Sequence, residues 1–285
     1  MSDTHATAVT SLLPGRGRFA SFALGALLVV ALYLLVAFLG WETEASLGNP
    51  SLITGYSLLC IMAVLASFNL RKRLSMLPLM RARWWTAAHI YGGILVLAVF
   101  WLHTGTIWPK GLYEQALALA FYLVSLSGLA GVALQRLQPG RLTQTSTEII
   151  YERIPNELAA LRGRAEELVL KCTKTTGHDT LARYYTESLQ WYFCAPRFVA
   201  SNLRGSQRAE FWLEQRFATV RRYLNQDEGV YLEQLRALAE EKVDIDVHYA
   251  GQLILRAWVF LHVPAATAVL TLAVWHLLLV HIYAL

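Results

Sequence analysis

Residues 81–105 read RARWWTAAHIYGGILVLAVFWLHTG, and residues 256–283 read RAWVFLHVPAATAVLTLAVWHLLLVHIY. Each holds an apolar run long enough to cross a hydrocarbon core, which takes about 20 helical residues. Each also carries two histidines fourteen positions apart, His89 and His103 in the first, His262 and His276 in the second. Fourteen residues make nearly four turns of α-helix, so the histidines of a pair share a face about 21 Å apart along the axis.

Three further apolar runs lie outside these two, at Phe19–Leu39, Ser51–Phe68 and Tyr113–Leu134. The expected fold is therefore an all-α membrane protein with five transmembrane helices, four within residues 19–136 and the last over 257–285. Composition agrees, with 55% hydrophobic and 16% charged residues, against about 25% charged in soluble domains. The first run exceeds the 7–15 residues of a signal-peptide core and has no A-x-A site after it, so it reads as an anchor.

Basic residues set the expected direction. Arg16 and Arg18 precede the first run, and Arg71, Lys72, Arg73, Arg81 and Arg83 follow the second. Only Lys110 lies between the third and fourth runs. This predicts a multi-pass protein of the inner (plasma) membrane with a cytoplasmic tail over 1–18 and the C-terminus outside. Residues 137–256 then form a small cytoplasmic helical domain, with helical patterning near Glu148–Cys172, Thr180–Phe193, Arg208–Tyr223 and Glu228–Lys242. Its 16 basic and 16 acidic residues, counted over 140–256, balance, which argues against nucleic acid as a partner. An insertion this long exceeds what joining two helices requires, which points to docking of a redox partner. Tyr184, Tyr185, Trp191, Tyr192 and Phe193 read either as that contact or as a helical core.

Cofactor chemistry narrows next. The three cysteines, Cys60, Cys172 and Cys194, form no CxxCH, CxxC or zinc pattern, which excludes a c-type haem attachment signature. No glycine-rich dinucleotide fingerprint or P-loop occurs. On parallel helices, His89 would share one depth with His262, and His103 the other with His276. Two bis-histidine sites stacked across the membrane suit two haems b, since helix bundles build cofactor sites from facing side chains. Gly92 and Gly93 follow His89 by three and four positions, as Ala265 and Ala266 follow His262, and would leave room for a macrocycle. R-x-W-x-x-x-H occurs at Arg83-Trp85-His89 and again at Arg256-Trp258-His262. The two arginines read either as partners of haem propionates or as ordinary interfacial residues. His281 reads as an interfacial histidine, as a quinone or partner contact, or as a replacement for His276. His5, His178 and His248 receive no role. The bland alternative for the four histidines is polar contact between helices.

The double spacing resembles the di-haem core of cytochrome b from quinol-oxidising respiratory complexes, and is similar to the haem helices of ferric reductases and NADPH oxidases. The resemblance covers 84–132 and 256–283. It implies His89, His103, His262 and His276 as axial ligands to haem iron, and an electron carrier working with a quinone or an outer cytochrome. An iron–sulfur protein, a flavoprotein or a multihaem cytochrome are the partner classes it implies. The alternative in the same class is a reductase core fed by a separate flavoprotein; that in another class is a cofactor-free transporter or scaffold. The chain departs from the reductases in lacking a flavin domain after the last helix, and from cytochrome b in the helical insertion between the haem helices.

Overall fold

The computed structural model describes residues 16–69, 82–142 and 150–283. His5, Glu148 and the basic cluster Arg71, Lys72, Arg73 and Arg81 lie outside them. The described residues are helical, without strands. They divide into two compact units, Met1–Val132 with Phe260–Leu285, and Ala133–Val259.

The first unit contains α1 (Arg16–Ala45), α2 (Pro50–Ala66), α3 (Ala82–Thr104), the start of α4 (Leu112–Leu142) and the end of α10 (Gln226–Tyr283). Four of these helices are long and apolar enough to cross a membrane, and α2, with 17 residues, is shorter. A 3-10 turn, Ser67–Asn69, continues α2. Phe22, Leu27, Leu28, Val30 and Leu32 of α1 are exposed around its circumference. A helix that is apolar all round is at home in lipid or a protein core, and these outward side chains call for lipid. The turn from α1 to α2 is written locally. Asn49 accepts from the Ser51 N–H at 3.0 Å and Pro50 occupies the first helical turn, the residue types favoured at a helix start. Inside the unit, Leu95, Val99 and Phe100 of α3 pack with Leu58, Phe121 and Val269, and the rings of Phe100 and Phe121 stack at 4.2 Å. The Tyr113 hydroxyl donates to the Leu272 carbonyl at 2.9 Å, fastening α4 to α10.

The second unit is a bundle of amphipathic helices: α5 (Ile154–Thr176), α6 (Thr180–Tyr184), α7 (Gln190–Cys194), α8 (Val199–Arg204), α9 (Arg208–Arg221) and the first part of α10. Leu158, Leu161, Ala165, Val169 and Cys172 line the buried face of α5 at helical spacing. Pro155 opens that helix, and Gly177 closes it in the left-handed region with φ 71°. The expected helix over 180–193 is interrupted by a π turn, Tyr185–Leu189. Tyr185, Tyr192 and Phe193 are core residues, so the aromatic cluster serves packing, and of these rings Trp191 is the exposed one.

One expectation needs correcting. Residues 228–242 and the last membrane segment are not separate helices but one, Gln226–Tyr283, 58 residues long. Asn225 and Glu228 form a reciprocal cap at its start: the Glu228 N–H donates to Asn225 Oδ1 at 2.8 Å, and the Asn225 N–H to Glu228 Oε2 at 3.2 Å. This is a capping box. Between Lys242 and Arg256 the sequence has no proline and one glycine, Gly251, and a single glycine costs only about 1 kcal/mol. Nothing there ends a helix.

Candidate functional site

The first unit brings the four histidines together in two pairs. The His89 and His262 rings lie 6.4 Å apart, centroid to centroid, with planes inclined by 76°. His103 and His276 both line one cavity of about 260 Å³, many times the roughly 30 Å³ of a water molecule in a protein interior that otherwise packs densely. Phe100, Phe121, Leu117 and Val269 give that cavity apolar walls, and Tyr56, Thr104 and Glu114 add polar groups. Helices α3 and α10 therefore run in the same direction where the histidines meet, each contributing one member to each pair.

The helices without these histidines hold them. On α2, Thr54 Oγ1 lies 3.1 Å from His103 Nδ1. Gly55 sits against the same imidazole, and a Cβ there would come within 2.9 Å of Cε1. Phe68, just beyond α2, packs on His89 with ring centroids 4.9 Å apart. His89 Nδ1 is buried without a hydrogen bond of good geometry, the Leu65 carbonyl being its nearest backbone partner. On α4, Ser127 Oγ lies 3.1 Å from His262 Nδ1. A Cβ at Gly128 would meet His262 Cε1 at 3.7 Å. Tyr113 stacks on His276 at 6.0 Å, with planes inclined by 19°.

His281 differs. Its Nδ1 meets the Leu277 carbonyl at 2.9 Å and its Nε2 the Tyr56 hydroxyl at 2.6 Å. A carbonyl only accepts, so Nδ1 carries the proton and Tyr56 donates to Nε2. Both nitrogens of His281 are engaged within the protein.

The remaining residues singled out from the sequence are dispersed. Gly92 faces α2, where a Cβ would come within 2.7 Å of Leu65 Cδ2, so it serves close helix packing; Gly93 faces open space. Arg83 is exposed, its guanidinium 5.3 Å from the centre of the Trp84 ring. Arg256 belongs to the second unit, where it pairs with Glu152 and lies 4.1 Å over the Tyr151 ring. Its hydrogen bond holds the Glu152 carboxyl below the usual carboxylate range.

The donor set limits the chemistry. Among the described residues no group of three or more His, Cys, Asp or Glu is placed to hold a metal ion. Structural zinc sites use four protein ligands and catalytic ones three, whereas each histidine pair offers two. Two imidazoles suffice for a metal whose other ligands arrive with it, as in a tetrapyrrole. Metal–imidazole bonds of about 2.0 Å, plus about 1.1 Å from each nitrogen to its ring centre, put coaxial imidazole centroids roughly 6 Å apart. The spacing of His89 and His262 fits that figure.

Thr54, Gly55, Ser127 and Gly128 were not visible as site residues in the sequence. A Thr-Gly or Ser-Gly pair in an apolar helix is common, and only its placement opposite a histidine gives it meaning. No protein-family model, curated protein or solved structure matches the chain.

Proposed function

We propose that the chain is a di-haem b-type membrane cytochrome that carries electrons across the membrane. One haem b would lie between His89 and His262, the other between His103 and His276, both held without covalent attachment. The observation that carries this reading is the parallel pairing of four histidines from two helices, two to a site, with one pair at 6.4 Å and the other around an apolar cavity. A bis-histidine haem supplies one-electron transfer, with its potential set by ligands, hydrogen bonds and burial.

The chain's own residues have distinct tasks. The four imidazoles would hold the haem irons. Phe100, Phe121 and Val269 keep the cavity apolar, and Thr54 and Ser127 orient two of the rings. With both nitrogens of His281 engaged, His276 is the better axial ligand on α10. We further propose five spans, with α2 and its 3-10 continuation as the second, and an inner-membrane location with the N-terminus and residues 137–256 in the cytoplasm. The basic residues around the first two spans support that direction. The electron donor or acceptor outside would be a quinol or quinone or an outer cytochrome, and the helical domain would face a protein redox partner.

The test is haem quantification on the purified full chain, with redox titration. Two extractable haems per chain and two midpoints are expected. His89→Ala or His262→Ala should remove one midpoint, and His103→Ala or His276→Ala the other. A colourless protein, or loss of a haem in His281→Ala with both kept in His276→Ala, contradicts the assignment.

A further inference from the structure

We infer that Thr54 and Ser127 are positioning residues that anchor one imidazole in each pair, His103 and His262, through Nδ1. This inference rests on the di-haem reading and assigns residues that carry no ligand themselves.

The surroundings of Thr54 offer the hydrogen bond this requires. Its Oγ1 lies 3.1 Å from the Pro50 carbonyl and 3.3 Å from the Ser51 carbonyl. Both carbonyls only accept, and with the single hydroxyl proton given to one of them the oxygen 3.1 Å from His103 Nδ1 presents a lone pair. In the inferred arrangement His103 donates from Nδ1, and its Nε2 carries the lone pair that a metal needs. Thr54 is buried, at 5% exposure, so water does not compete for this contact. Ser127 on α4 places a hydroxyl at the same 3.1 Å distance from His262 Nδ1. A ligating histidine nearly always gives its other ring N–H to an acceptor, which orients the ring and raises its basicity.

The contrast with the other histidines sharpens the assignment. His89 Nδ1 is buried without a hydrogen bond of good geometry, and Tyr113 meets His276 by stacking. Each pair thus joins one imidazole facing a side-chain hydroxyl to one that does not, and the member facing the hydroxyl sits on α3 in one pair and on α10 in the other. His281 shares the Nδ1-protonated form, yet its Nε2 is taken by Tyr56. An N–H donated to an acceptor makes the imidazole a stronger donor to iron and favours the oxidised state. Removing the acceptor should raise the midpoint of that haem alone.

The experiment uses the full chain in detergent, with midpoints assigned from the histidine variants above. Thr54→Val should shift the oxidation equilibrium of the His103–His276 haem about tenfold toward the reduced form, about 59 mV for one electron, and leave the other midpoint in place. Ser127→Ala should do the reverse. Thr54→Ser and Ser127→Thr, which keep the hydroxyl, should titrate as wild type. Selective loss of the His103–His276 haem in Thr54→Val, with Thr54→Ser intact, supports the assignment equally. Unchanged midpoints in both hydroxyl-free variants overturn it and leave the di-haem reading standing. So does an equal shift of both midpoints, or a shift in Thr54→Ser as large as in Thr54→Val. Wild-type protein without haem overturns both.

Discussion

Replacing Gly55 by alanine adds one methyl group, and the geometry at His103 predicts that this suffices to disable one site. The new Cβ would stand 2.9 Å from His103 Cε1. Non-bonded carbons settle at about 3.5–4.0 Å, so the ring or α2 must retreat by roughly half an ångström or more. The ring is tethered by Thr54, and α2 packs directly on α3. Metal–ligand distances hold to about 0.2 Å, less than half the required retreat. Overpacking of this kind costs about 1–3 kcal/mol, or roughly five- to 150-fold in occupancy if it falls entirely on ligation. Gly128 is the matched control: its added Cβ would sit 3.7 Å from His262 Cε1, an ordinary contact. Under the proposed di-haem function, Gly55→Ala should therefore lose or strongly shift the His103–His276 haem alone, and Gly128→Ala should leave both haems and both midpoints near wild type. Haem stoichiometry and redox titration of the two variants decide it. Full retention of both midpoints in Gly55→Ala, or equal damage in Gly128→Ala, would refute the reasoning.

Three further outcomes follow from the second unit and the topology. Lys242 and Asp246 form an ion pair with both side chains fully buried, Nζ 2.6 and 2.8 Å from the two carboxylate oxygens. Lys242→Met should cost about 3–5 kcal/mol by stranding the carboxylate, while Lys242→Met with Asp246→Leu recovers most of it; thermal unfolding of the full chain in detergent reads the difference, and a double variant no better than the single counts against it. Burial pushes the Asp246 carboxyl from the ordinary 3.8 up to about 6 despite Lys242 beside it. Folding then takes up a proton between those values, so this group's contribution to stability falls as pH rises from about 4 to 6, and wild type should lose stability relative to the double variant over that window; a flat difference contradicts it. Protease added to inside-out vesicles should cut within residues 137–256 and spare them in right-side-out vesicles; the opposite pattern reverses the proposed direction.

The histidines and the apolar runs were legible because both are local properties of the chain. Fourteen-residue spacing and hydropathy need no partner to be read. What surrounds the histidines was not legible, because partners come from other helices. Thr54 and His103 are 49 positions apart, Ser127 and His262 135. Gly92 looked like room for a macrocycle and instead admits Leu65. Arg256 read either as a propionate partner or as an interfacial residue, and its pairing with Glu152, 104 residues away, was not visible. Lys242 and Asp246, at i and i+4, have the spacing that exposed helix pairs also use, and their complete burial depends on the other helices of the bundle. The continuity of α10 was open to sequence reasoning, since the stretch 243–256 has no proline to stop it, and the capping box at Asn225 marks its true start.

The division of labour among the helices has a consequence for how such a site can be built. α3 and α10 carry all four imidazoles, but an imidazole on an isolated helix has no fixed tautomer and no fixed ring angle. The surroundings that fix the ring angles come from α2, through Thr54 and Gly55 at one pair and Phe68 just beyond its end at the other, and from α4, through Ser127 and Tyr113. Each supporting helix therefore touches both pairs, and neither pair depends on a single helix for its orientation. Displacement of α2 along its axis would disturb His89 and His103 together, yet would leave His262 and His276 seated on α4. A site preorganised in this way keeps at least one imidazole of each pair in place while the other moves. A tilt of α2 should thus weaken both sites partially, where loss of a single hydroxyl affects only one.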